Sequence, residues 1–290
     1  MSLILESVGF GLITAAILAI SAVGFTMQFA ITNVLNLSYS GVMISAAFIA
    51  YGLNVVGLNI WLCLVMAGIY GAVLSFLLNR FIFRPFQRRN AGAVGMVIVT
   101  LAVGLVLTNL TLAFGGPDNV SYTLNNGPTF TAGPFVMTAI QLAEIALAIV
   151  TMLGVHALLK FTRLGKAMRA TAANLSLARA SGIRTERVIA ITWLITGFLC
   201  GMAGTVFAMD SGSFGASSIA LFLVVIIAAA VVGGVGRPYG AMAGALIIGV
   251  VMEVSASIIS ADYKEAVAFV ILLLVLALRP EGVLVRTSRA

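Results

Sequence analysis

The sequence is poor in charge: only 9% of its 290 residues are Asp, Glu, Lys or Arg. A soluble chain of this length needs a polar face on nearly every element, and this one cannot supply it, so a water-soluble globular fold is excluded on composition. Histidine is almost missing. With His156 alone, a zinc centre or a histidine-based catalytic triad lacks its parts. The 2 cysteines, Cys63 and Cys200, fall inside apolar stretches and outside any metal-type spacing, so they read as small packing residues. No basic region precedes the first apolar run; Glu6 stands there instead, and a cleaved signal peptide is not expected. Nothing in the sequence calls for a cofactor.

What the chain does have is apolar length. Hydrophobic residues make up 61% of it, at a mean hydropathy of +1.16. A helix needs about 20 apolar residues to cross the hydrocarbon core of a bilayer. Such stretches read at about 8–31, 35–53, 57–79, 91–114, 139–160, 189–209, 218–236, 239–259 and 265–279, the second short and interrupted by polar residues. The expected fold is all-α, a polytopic transmembrane bundle of 8–9 spans forming a single domain over residues 1–290. The net charge of +7 does not point to nucleic acid, because the cations flank the apolar spans.

If each span crosses once, 15 of the 16 basic residues fall on one side: the group from Arg80 to Arg89, that from Lys160 to Arg187, Arg237, and Arg279, Arg286 and Arg289. Only Lys264 lies opposite, with Glu6, Asp118, Asp210, Asp262 and Glu265. The positive-inside rule makes the basic side, and the C-terminus, cytoplasmic. Nine crossings put the N-terminus outside; a re-entrant 35–53 makes eight and puts it inside.

Two connections are long. The outer one, about 115–138, mixes Gly115, Gly116, Pro117, Gly127, Pro128, Gly133 and Pro134 with polar residues and reads as an ordered extracytoplasmic cap. The inner one, about 161–188, carries helix formers from Ala167 to Ser181, then Gly182 at a C-cap position. Met168, Ala172, Leu175 and Ala178 or Arg179 recur at helical spacing, which predicts an amphipathic cytoplasmic helix. Such a helix either lies on anionic lipid or docks a cytoplasmic partner. Its alanines favour docking, since a lipid-facing helix gains more from Leu, Phe or Trp.

The run from Gly233 through Gly234, Gly236, Arg237 and Pro238 to Gly240 and Gly244 resembles a phosphate cradle only superficially. It lacks the lysine, the hydroxyl and the preceding strand of a P-loop. Gly240 and Gly244 form a small-xxx-small pair, and a tight helix–turn–helix is the better account.

Three stretches resemble the permeases of branched-chain amino acid ABC importers: Thr162-Arg163-Leu164-Gly165-Lys166-Ala167-Met168-Arg169-Ala170 with Ala178 and Gly182; Thr196-Gly197-Phe198-Leu199-Cys200-Gly201-Met202-Ala203-Gly204; and Gly233 to Gly244 with the ending Leu278-Arg279-Pro280-Glu281-Gly282. The resemblance implies a non-catalytic transport subunit of the bacterial inner membrane. It implies cytoplasmic ATPase subunits, a second permease chain and a periplasmic substrate-binding protein as partners. It assigns ATPase coupling to Arg169, Ala178, Arg179 and Gly182, although Ser176 replaces the acid common in that loop. Gly233, Gly234, Gly236, Gly240 and Gly244 are candidates for helix packing and gating. The segment Asn36-Leu37-Ser38-Tyr39-Ser40-Gly41 keeps the family's Asn and final Gly but has no histidine, which leaves urea and short amides open as alternative solutes.

The remaining polar residues divide between roles. Asn36 and Tyr39 either line a pathway at a broken helix or mark an ordinary turn with Asn33 and Ser38. Glu253 either lines the pathway or hydrogen-bonds a neighbouring helix, whereas Glu144 is expected to be solvated. Asn109 is expected to bond between helices, and Trp61 and Trp193 to anchor at the interface. Two other classes compete: an ion-coupled secondary transporter, for which Glu253 is the thin basis, and an assembly subunit of a membrane enzyme.

Overall fold

The structure, a computed structural model, describes residues 2–89, 92–124, 127–132, 135–260 and 263–278. The ending from Arg279 to Gly282, Asp262, and the Gly133-Pro134 pair lie outside the described residues. Among the described residues each apolar stretch read from the sequence forms a helix. These are α1 (Ser2–Thr32), α2 (Tyr39–Val55), α3 (Ile60–Leu78), α5 (Ala93–Gly115), α6 (Ala139–Phe161), α9 (Thr185–Asp210), α10 (Ser218–Gly233), α11 (Pro238–Ile258) and α12 (Lys264–Leu278). A π-helical turn, Asn79–Phe83, carries α3 directly into the short α4 (Arg84–Arg88). Among the described residues six helices are long and apolar enough to cross a membrane, while α2 and α10 are apolar but shorter.

The chain divides into two compact units, one of residues 1–26, 124–152 and 221–290, the other of 27–123 and 153–220. In the second unit, α9 packs on α3 and α2 through small residues. A Cβ added at Gly201 would run into the Ala67 carbonyl, and one at Gly204 into the Met43 carbonyl. In lipid, where there is no hydrophobic force between helices, such close approach is what holds helices together. The polar residues of α9 are quieted locally: the Thr192 and Thr196 hydroxyls donate to the carbonyls of Val188 and Thr192, at 2.8 and 2.9 Å.

Two expectations fail in this unit. Trp193 is not an interfacial anchor; it is 1% exposed and stacks on Phe83 with centroids 5.2 Å apart. The helix starts at Thr185 rather than near 189, so Trp193 lies two turns inside it. Asn109 does not bond between helices either. Its amide donates 2.8 Å to the Leu105 carbonyl one turn back, on an exposed face. Outside the helices, burial pushes the Tyr122 phenol well above its ordinary value, so it stays protonated and donates to the Ala47 carbonyl at 3.0 Å.

In the first unit the outer connection contains a hairpin, with β1 (Thr129–Ala132) antiparallel to β2 (Phe135–Thr138) and Thr129 opposite Thr138. It feeds α6 through a capping box: Thr138 Oγ1 accepts from the Gln141 amide at 3.3 Å, and the Gln141 side chain accepts from the Thr138 amide at 3.0 Å. The expected solvation of Glu144 fails, because it shares an inward face of α6 with buried Ala148 and has no exposed surface. Helix α11 lies close on α1, where Gly249 meets the backbone of Ala15.

Candidate functional site

The inner connection is built by capping. Thr162 accepts from the Gly165 amide at 2.9 Å to start α7 (Arg163–Ala173), and Gly165 lets α7 fold back against the Leu158 and Leu159 backbone. The single helix expected from Ala167 to Ser181 is not formed. Asn174 takes up extended backbone at φ −159° and ψ 108°, ends α7, and starts α8 (Leu175–Ala180) by accepting from the Leu177 amide at 3.0 Å. Asparagine competes for backbone bonds with its own side chain, which is why it breaks a run of helix formers.

The Ala178–Gly182 spacing also has a local cause. The Ile183 amide bonds the Ala178 carbonyl and the Gly182 amide bonds the Arg179 carbonyl, both at 3.0 Å, while Gly182 sits at φ 81°. This is a Schellman cap, and glycine meets its left-handed position without strain. The predicted apolar stripe is redistributed as well. Met168 and Ala178 are buried, but Ala172 and Leu175 are exposed, and Leu177 is 64% exposed. Arg169 is exposed, and Arg179 donates from Nε to the Thr185 hydroxyl at 2.9 Å.

Beside α8 an ionic cluster escaped the sequence reading. Glu186, at the start of α9, pairs with Arg84, and with Arg88 at 3.5 Å. No spacing signal reaches across about 100 residues, so only folding brings these groups together.

The turn after α1 is a capped, buried corner. Asn33 closes α1 at φ 51°, and Asn36 Oδ1 accepts from the Ser38 amide and hydroxyl at 3.1 and 2.5 Å. The Asn36 amide donates 3.3 Å to Gln28, a residue that the sequence reading passed over inside a long apolar run. Thr100 reaches across from α5 to the Leu35 carbonyl at 3.0 Å, so irregular backbone at this depth keeps a partner. Asn36 and Tyr39 are thus brought together, 4% and 2% exposed.

The glycine run folds as a tight helix–turn–helix between α10 and α11. Gly234 and Gly236 turn the chain at φ 98° and 84°, and Pro238 opens α11 where a missing amide costs nothing. Gly233 and Gly240 pack backbone to backbone, and Gly244 rests on the Ala229 carbonyl. Further along α11, Glu253 accepts from Thr14 of α1 at 2.9 Å and pairs with Lys264, the first residue of α12, at 2.7 Å. Lys264 therefore neutralises the acid of α11. Among the described residues no group of three or more His, Cys, Asp or Glu side chains is placed to hold a metal.

Long apolar helices closed by glycine contacts define a polytopic α-helical membrane protein. The family described as branched-chain amino acid transport system / permease component matches residues 7–276, and the chain belongs to it. It is similar to the high-affinity branched-chain amino acid transport system permease protein LivH of Salmonella typhimurium, 30% identical over 92% of this chain and 91% of the relative. It is also similar to the permease protein BraD of Pseudomonas aeruginosa, 28% identical over 95% and 94%. In fold it is like a solved structure of PsaBC from Streptococcus pneumoniae in complex with Fab, at a TM-score of 0.53 and 12% identity over 94% of this chain and 91% of the other.

Proposed function

We propose that this chain is a non-catalytic permease subunit of an ATP-driven importer, forming the translocation path for branched-chain or related small amino acids. The observation that carries the reading is membership of the permease family over residues 7–276. The chain works as one permease domain in the bacterial inner membrane, crossing eight or nine times. The basic side faces the cytoplasm with the C-terminus, and the 115–138 connection faces outward to meet a periplasmic substrate-binding protein.

The α7–α8 elbow is the coupling segment for cytoplasmic ATPases. Leu177, 64% exposed, and the partly exposed Leu175 support this role, since α8 presents apolar surface among the described residues. Arg169 and Arg179 complete that surface, while Ala178 and Gly182 hold its shape. A second permease chain, alike or paralogous, completes the path. ATP-driven closure of the ATPases moves the elbow, and the helices rock between two openings. The α10–α11 glycines serve as a packed pivot for that motion, and Asn36, Tyr39 and Glu253 are its pathway candidates.

The test is reconstitution of the permease with its ATPases and binding protein in proteoliposomes. Leucine, isoleucine or valine uptake that requires ATP is the expected result. Uptake driven by an ion gradient with no ATPase present would overturn the proposal, and ATP-dependent uptake of urea or acetamide alone would reassign the solute.

A further inference from the structure

Where α3 meets α4, the second unit holds a groove of about 550 Å³ lined by Arg80, Arg84, Arg88 and Arg179 against one acid, Glu186. A shallower groove of about 580 Å³ shares Arg84, Arg179 and Glu186 and adds Arg184 and Arg187. Glu186 pairs with Arg84 and Arg88, which leaves the other guanidinium charges of the two grooves without a carboxylate among the described residues. Arg80 makes no side-chain hydrogen bond or ion pair there.

The π turn is what assembles the cations. In a straight α-helix of 3.6 residues per turn, a residue eight positions on sits about 80° around the axis. The wider turn at Asn79–Phe83 takes up that excess, so arginines at four-residue intervals line one groove. On the same helix Val73, Leu77 and Phe81 recur every four residues and are 49%, 41% and 68% exposed. An apolar stripe thus climbs α3 to Phe81, next in sequence to Arg80 of the groove, which Ile31, Phe76 and Ile189 also line.

We infer that this groove binds the phosphate of an anionic phospholipid, with the acyl chains lying along the stripe. Guanidinium groups match phosphate oxygens in a planar fork, and they bind more firmly at the edge of the hydrocarbon than in open water. An acidic peptide would satisfy the cations but has no use for the stripe. Positive residues at span ends also serve topology, but that role needs neither a concave site nor a π turn to gather them.

The test uses the full chain purified in detergent and exposed to phosphatidylcholine vesicles with or without phosphatidylglycerol. Lipid retained after delipidation is read by native mass spectrometry. Arg80→Gln/Arg88→Gln is compared with Arg163→Gln/Lys166→Gln, which removes the same charge from exposed positions of α7. The expected result is selective retention of phosphatidylglycerol by the wild type and the α7 variant. The groove variant should retain roughly thirtyfold less, from about 1 kcal/mol per cation near the surface. Equal retention by all three proteins would overturn the inference. So would retention of phosphatidylcholine as strong as that of phosphatidylglycerol, or displacement of the lipid by inorganic phosphate or polyglutamate at millimolar concentration. Size-exclusion profiles confirm that each variant is folded, and none of these outcomes depends on transport activity.

Discussion

Gly182 carries the inner connection through the left-handed region at φ 81°, and an added Cβ would meet nothing within 4 Å. A side chain there costs backbone strain alone, so Gly182→Ala should destabilise the protein by about 1–2 kcal/mol, with Gly182→Asn closer to the wild type. Thermal unfolding in detergent reads the difference. Ala178 is a different case: at 4% exposure, Ala178→Asp buries a charge, so its effect mixes misfolding with lost docking. Glu253 and Lys264 make a third. Their side chains are 13% and 30% exposed, so the pair is only partly desolvated. Lys264→Met leaves the Glu253 carboxylate without its cation and should cost about 1–3 kcal/mol, reduced from the fully buried case by the access to water. Glu253→Gln combined with Lys264→Met should recover most of that loss in a double-mutant cycle. No recovery would mean that the pair does not act as a unit.

Helices pack here by how closely their backbones approach, and the α3–α9 contact shows the consequence. Gly71 and Gly201 each meet the facing helix's backbone, so Gly201→Ala must push α3 and α9 apart. Overpacking of this kind costs about 1–3 kcal/mol. Gly201→Leu should block folding outright, read as loss of the monodisperse peak, whereas Gly92→Ala, in open space, should change nothing. The apolar stretches were legible because length and hydropathy state the demands of a bilayer directly, and each is a helix. What escaped reading depends on single side chains or on distant partners. Asn174 ends α7 with its own carboxamide inside a run of good helix formers. The π turn at Asn79–Phe83 leaves no mark in composition, so the shared groove of Arg80 and Arg88 was invisible in their spacing. The hairpin lies in a Gly- and Pro-rich connection that reads as an ordered cap but shows no strand pattern. At the candidate site, the glycine turn was legible from its own chemistry, but the contacts of Glu186 and Glu253 belong to the tertiary fold.

Under the proposed function, a permease with no motor of its own needs a surface through which an outside force enters, rigid where it joins the spans and apolar where it is gripped. The α7–α8 elbow has both properties. Thr162 and Gly165 clamp its entry to α6, the Schellman cap and the Arg179–Thr185 bond clamp its exit to α9, and between them α8 holds Leu175 and Leu177 outward. A lever of this shape transmits displacement only if its tip is held. Leu177 is 64% exposed, so Leu177→Asp removes no internal contact of note, and unfolding temperature and membrane yield should match the wild type. Truncating a residue that anchors an interface costs about 1 kcal/mol or more, and a charge in its place costs more again. Leu177→Asp should therefore lower ATPase co-purification and ATP-dependent uptake together by about tenfold or more. Leu175→Asp should do the same, while Lys166→Ala on the exposed side of α7 should not. Intact uptake in both leucine variants would move the point of force away from α8. Loss of uptake with ATPases still bound would instead assign α8 to transmitting the motion, because the grip would then lie on α7 while the tip still set the position of α9.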